Sequence, residues 1–279
     1  MGRYLFYIVI MAATVWASCA KDETAYKFFV AGHTYGDPNV KHLGMHPPFV
    51  DHISKLNADN EIELGFLTGD ILKNYETTAF PDSAKATIAQ IDVPVHIAAG
   101  NHDIHELYPQ YFGDYYYSFS HRDDLHIILT PGLDKWNISG DQLAFLEQTL
   151  ADEAPAARHI FIYVHELIWW TPDNEYKDTK INYKPYYPGK NNFDEVVKPL
   201  LLSYPNHITI FAGDLGATDA VSSLMYDEVD NLTLIGTGMG SGTKDNIIIV
   251  TAGREVHYEV VPLKGSKMKG GSLNKKMNN

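Results

Sequence analysis

Four consecutive residues, Gly100-Asn101-His102-Asp103, carry side chains suited to metal-assisted and acid–base chemistry. Asn offers a carbonyl ligand, His a proton donor, and Asp a group that can orient that His. The glycine in front lets the backbone turn sharply off the apolar run 94–99. Alone, such a string would be an ordinary turn with solvated side chains. Here the arrangement recurs. Five apolar runs end in a potential ligand, namely His33, Asp70, Asn101 (with His102), His165 and Asp214, and a glycine adjoins four of them. His, Asp and Asn gathered along one edge suit coordination of a divalent cation by oxygen and imidazole.

These residues need strands to place them. The runs 26–31, 62–68, 94–99, 159–164 and 208–212 are apolar enough to be buried strands. Between them the sequence predicts helices over 46–58, with Pro47 and Pro48 in the first turn, and over 82–91, capped by Asp82 or Ser83. A further helix is expected over 139–150, with Ser139 as cap, Gln142 three residues later, and Leu143, Leu146 and Leu150 on one face. Residues 191–202 read as helical. The runs 115–120 and 125–130 form a hairpin, and 232–236, 246–251 and 255–261 finish as strands. Alternation of this kind predicts an α/β domain whose strand ends share one ligand-binding edge. No repeat or linker interrupts residues 26–263, so one domain is expected.

The motifs, in this order, resemble the calcineurin-like metallophosphoesterase superfamily over roughly residues 26–263. The family pattern is Asp-x-His, Gly-Asp, Gly-Asn-His-Asp/Glu, a lone His, then Gly-His-x-His. Gly69-Asp70 and Gly100–Asp103 match it, and His165 matches the lone His. Two motifs depart from it. Ala31 stands where the first Asp belongs, leaving His33, and Asp214 and Gly216 replace the final pair of histidines. The resemblance implies a four-layer sandwich of two packed mixed β-sheets flanked by helices. It also implies one metal held by Asp70, Asn101, His165 and Asp214. A second metal position keeps His33 and the bridging Asp70, with Asp37 the candidate to complete it. The expected cofactor is a divalent metal ion, Mn, Fe, Mg or Zn, at one or two per chain. Carried over, water attacks phosphorus, His102 protonates the leaving alcohol, and Asp103 orients His102. The expected substrate is a phosphorylated small molecule or glycan. The alternative is a non-catalytic, metal-depleted protein that uses this fold to bind a glycan or protein partner.

Composition sets further bounds. With Arg3 and the five lysines of the last sixteen residues removed from the 22 basic ones, the remainder face 35 acidic residues. Such a surface repels nucleic acid, so no nucleic-acid partner is expected. Residues 1–18 have the shape of a signal peptide, and the lone Cys19 after small residues resembles a bacterial lipoprotein site, followed by a linker over 19–25. Export to the cell envelope follows as an expectation, with membrane contact through a lipid anchor alone. The Gly/Ser/Lys/Asn stretch 264–279 reads as a disordered basic tail. Residues 169–187, rich in Trp, Tyr and Lys, read as a loop beside the active edge, which either sets specificity or packs on its own aromatics.

Overall fold

The computed structural model describes residues 25–39, 42–182 and 190–273. The leader at 1–18, Cys19 and most of the linker lie outside the described residues, as do Tyr183, Lys184, Tyr186, Tyr187, Lys275 and Lys276.

The apolar runs become strands because each is rich in branched or aromatic side chains and is covered on both faces. Three parallel strands, β1 (Tyr26–Gly32), β2 (Ile62–Thr68) and β3 (Val95–Ala98), lie side by side in the first sheet. Helix α1 (Pro47–Ala58) intervenes between the first two, and α2 (Ala79–Ile88) between the next two. After α3 (Tyr108–Phe112), a hairpin of β4 (Tyr117–His121) and β5 (Asp124–Ile128) opens the second sheet. Helix α4 (Gly140–Glu153) leads to β6 (His159–Tyr163). A π-helical turn then runs into α5 (Lys198–Leu202) and on to β7 (His207–Leu215). Strands β8 (Leu224–Val229) and β9 (Leu232–Gly238) complete that sheet, while β10 (Asn246–Ala252), β11 (Val256–Pro262) and β12 (Gly271–Ser272) return to the first. The orders are β12-β11-β10-β1-β2-β3 and β4-β5-β6-β7-β9-β8, six strands in each sheet. Both sheets are mixed, and the inner parallel strands β5, β6, β7 and β9 put their carboxyl ends on one edge.

Phe49, Ile53 and Leu56 of α1 and Ala84 of α2 pack on the outer face of the first sheet. Leu146 and Leu150 of α4 and Leu201 of α5 do so on the second. Between the sheets lies an aromatic layer, with Phe66 of β2 stacked on Tyr163 of β6 at 3.8 Å between ring centres. His126 is buried there without stranded polarity, since its two ring nitrogens meet the hydroxyls of Tyr26 (2.9 Å) and Tyr163 (3.0 Å). This is the expected four-layer α/β sandwich. At the carboxyl ends the sheets close tightly. A Cβ on Gly213 would lie 1.7 Å from the carbonyl oxygen of Thr68, so only glycine fits there.

Several local expectations change. Helix α2 begins at Ala79, upstream of Asp82 and Ser83. Ser139 precedes α4 but its hydroxyl donates to the Asp134 carboxylate, and Gln142 reaches instead to the backbone of Thr130. Strand β8 was not expected, because Asp227 and Glu228 interrupt its apolar pattern as suits an exposed edge. Part of the supposed disordered tail is tied down: β12 pairs with β11, and Leu273 is buried in the inter-sheet core.

Candidate functional site

Every expected site residue stands at or just beyond a strand end. His33 follows β1, Asp70 follows β2, Asn101 and His102 follow β3, His165 follows β6, and Asp214 is the penultimate residue of β7. His33 and Asp70 both adopt left-handed backbone, with φ of 53° and 51°. Non-glycine residues held in that region are concentrated where structure serves a site.

The side chains meet pairwise. His33 Nε2 lies 3.4 Å from Asp70 Oδ2, and His165 Nε2 lies 3.4 Å from Asp70 Oδ1 and 3.8 Å from Asp214 Oδ1. All four residues are buried. Each histidine commits its other nitrogen to the backbone, His33 Nδ1–H to the Met239 carbonyl (3.1 Å) and His165 Nδ1–H to that of Thr68 (2.9 Å). This is how metal-binding imidazoles are commonly oriented. The backbone amides of Gly213 and Asp214 both donate to the His165 carbonyl and lock the ends of β6 and β7 together.

Electrostatics sharpens the picture. Burial holds His33 down at about 4 despite the nearby Asp70 charge, so its ring is neutral. Burial would raise the Asp70 carboxyl, but His165, then His102 and His33, hold it well below the usual range. The lone pair of His33 Nε2 therefore faces an anion with no proton to share. His165 is the reverse: burial opposes its charge, yet Asp70, Asp214 and Glu166 push it well above an ordinary histidine. Its Nε2 is nonetheless buried without a hydrogen-bond partner. Burial raises Asp214 against the pull of the His165 charge, with the Asp70 charge adding to the rise and the Asn182 amide opposing it. The donor set thus suits a divalent cation by chemistry. By spacing it stands open, because among the described residues no three His, Cys, Asp or Glu side chains form a group that could hold a metal ion.

Other expected residues take different roles. Asn101 is half-buried in the turn after β3. His102, also half-buried, donates from Nδ1 to the Lys73 carbonyl at 2.7 Å and from its backbone amide to Asp70 Oδ1 at 3.2 Å. Its Nε2 is thereby left as the atom that can exchange a proton. Lys73 does the orienting that was expected of Asp103. The Asp103 carboxylate is fully buried and accepts from the amides of Gly100, Ile71 and Leu72, stitching the loop after β3 to the loop after β2. Asp37 does not reach the site; its carboxylate binds the backbone and side-chain amides of Asn39. Gly216, where the family places a histidine, has φ of 83°, and a Cβ there would lie 2.5 Å from the backbone of Gly238. The chain path leaves no room for that ligand. Trp169 and Trp170 are core residues, so they offer no exposed platform for a glycan.

Sequence reasoning missed Glu166. It is buried, neither carboxylate oxygen has a hydrogen-bond partner, and burial raises it to about 7. Its position directly after His165 was the available signal. It also missed Asp245, whose carboxylate binds His46 at 2.7 Å and the amides of Gly240 and Gly242, fixing the loop that presents the Met239 carbonyl to His33.

The sequence matches no family model and no curated protein. Solved structures do match. A purple acid phosphatase from yellow lupin seeds superposes with a TM-score of 0.63 at 14% identity, over 85% of this chain and 51% of that one. A putative 5'-nucleotidase from Staphylococcus aureus gives 0.46 at 13% identity over 86% and 53%, and the Vps29 of Entamoeba histolytica complexed with zinc gives 0.42 at 11% over 89% and 99%. The fold is that of the calcineurin-like metallophosphoesterases. The chain spans about half the length of the lupin phosphatase it matches.

Proposed function

We propose that the protein is a metal-dependent phosphoesterase, hydrolysing a phosphorylated small molecule or glycan. One observation carries the reading. Two histidines, each with Nδ1 held by a backbone carbonyl, aim Nε2 at opposite oxygens of the same buried carboxylate, Asp70. Such an arrangement is costly unless a cation or proton lies between the groups. Asp70, His165 and Asp214 would hold the cation, with Asn101 and His33 adjoining. When bound, it would polarise a phosphoryl oxygen and acidify a water. His102, steadied by Lys73, holds the proton for the leaving alcohol at Nε2. The backbone amide of His102 on Asp70 keeps the acid and the carboxylate in register.

The test is hydrolysis of p-nitrophenyl phosphate and its bis ester by the full chain loaded in turn with Mn, Fe, Zn and Mg. Metal-dependent turnover that drops by about a hundred-fold or more in His102→Ala is expected. Turnover untouched by that change would reject the assigned acid. The binding-protein alternative draws on the absence of a closed three-donor group among the described residues and on Ala31 and Gly216 at ligand positions. It predicts no turnover with any metal. The proposal includes export by the leader and lipidation at Cys19, which a Cys19→Ala variant tests by moving from the membrane to the soluble fraction. Among the described residues no helix is long and apolar enough to cross a membrane.

A further inference from the structure

Outside the strand-end cluster, a cavity of about 670 Å³ opens between the loop after β7 and the loop after β9. Both loops leave the site itself. The first follows directly on the end of β7 that carries Asp214, and the second begins at Met239, whose carbonyl holds His33. The Ala217 amide donates to Asn182, the residue beside Asp214, so the loop after β7 is tied to the site.

Three lysines line the cavity, Lys180, Lys244 and Lys267, in a chain whose net charge is −13. Two carboxylates, Asp178 and Asp219, also line it. Asp219 is engaged, its side chain accepting from the Thr243 hydroxyl and its carbonyl from Lys244 Nζ. Lys27, Lys190 and Lys264 each face a carboxylate across 3.1 Å or less. Lys180 and Lys267 have no ion-pair partner among the described residues. Their backbones are nonetheless fixed. Ser222 N–H donates to the Lys180 carbonyl (2.8 Å) while Lys180 N–H donates to the Ser222 hydroxyl (3.1 Å). Lys267 N–H donates to the Thr243 carbonyl (2.8 Å), so the segment expected to be a loose tail forms part of the wall. Two ammonium groups that line one concavity, neither with an ion-pair partner among the described residues, attract an anion, and Val221, Leu224 and Met268 give its organic body an apolar surface.

We propose that this cavity binds an anionic group, carboxylate or phosphoryl, carried on the organic part of the substrate away from the phosphoryl group that is cleaved. The assignment to a substrate rests on the phosphoesterase reading; binding of the anion does not.

The test is calorimetric titration of inorganic pyrophosphate, and separately of citrate, into the full chain stripped of metal over chelating resin. Saturable binding of one or both probes is expected, and the tighter one identifies the group. In Lys180→Ala/Lys267→Ala the affinity should fall about ten-fold or more, and raising salt should weaken it in the parent chain. Asp70→Asn, which disables the metal edge, and Lys264→Ala, which removes a lysine outside the cavity, should each leave affinity within about two-fold. The proposal is overturned if neither probe binds, if the double variant binds as the parent does, if Lys264→Ala weakens binding as much as the double variant, or if Asp70→Asn abolishes binding. Pyrophosphate or citrate binding of the expected kind in a chain that hydrolyses no phosphoester would remove the catalytic reading while leaving the anion site.

Discussion

At Asp103 a buried carboxylate accepts from three backbone amides, and its removal leaves those N–H groups buried without an acceptor. Each such group costs about 1–3 kcal/mol, not additively, so Asp103→Ala should lose about 3 kcal/mol in urea unfolding. His102→Ala loses one bond from a half-buried ring, about 1 kcal/mol, while removing the proton donor. The two neighbours therefore separate: one change costs chiefly stability, the other chiefly turnover. Equal stability losses would reject this division. Glu166 gives a second prediction at this scale. Burial, with the Asp214 and Asp70 charges adding to it, lifts its carboxyl from 4.5 to about 7. A raised carboxyl binds its proton better in the folded chain, so its contribution is complete below pH 4.5 and is lost as pH rises through 7. Between pH 4 and pH 8, Glu166→Gln should gain about 3 kcal/mol relative to the parent chain. Parallel stability curves across that range would show that the carboxyl does not titrate as described.

Strand ends were legible because burial on both faces demands apolar runs, and a ligand placed after each run breaks them visibly. What those ends touch was not legible. Asp103 meets Ile71 and Leu72 some thirty residues away, and Asp37 lies near His33 in sequence yet turns onto Asn39. Composition also misled at the C-terminal segment, where Gly and Lys suggested disorder but backbone pairing to β11 and the burial of Leu273 decide otherwise. That difference can be measured. Compared with a chain truncated after Leu273, one truncated after Leu263 lacks β12 and a buried leucine and should be less stable by about 2–3 kcal/mol. Identical melting of the two truncations would return 264–273 to the status of a tail. Gly213 makes the same point for the seam: alanine there must push β7 from the Thr68 carbonyl, a close approach no sequence pattern announces.

Across the whole molecule the four buried donors are divided between layers, His33 and Asp70 on the first sheet, His165 and Asp214 on the second. A cation bound among them would join the two sheets at the edge where only glycines allow them to meet. The excess of acidic residues would draw that cation in. Binding to the folded chain alone stabilises it by about 2.7 kcal/mol at a hundred times Kd, and each kcal/mol is worth about 2–4 °C in Tm for a chain of this size. A single melting transition that rises by several degrees in excess Mn²⁺ is therefore expected, with the rise lost in Asp70→Asn and in Asp214→Asn. Its pH dependence has a definite sign. Without metal, His165 keeps a proton well above the usual histidine range because the charges of Asp70, Asp214 and Glu166 outweigh burial. That proton stabilises the metal-free chain below pH 6.5, and its contribution fades as pH rises through the elevated value. Metal must displace the proton, so the Mn²⁺-induced rise should grow from pH 6 to pH 8. A rise independent of pH would place the cation away from His165, and one that survives Asp214→Asn would leave the second sheet without its carboxylate ligand.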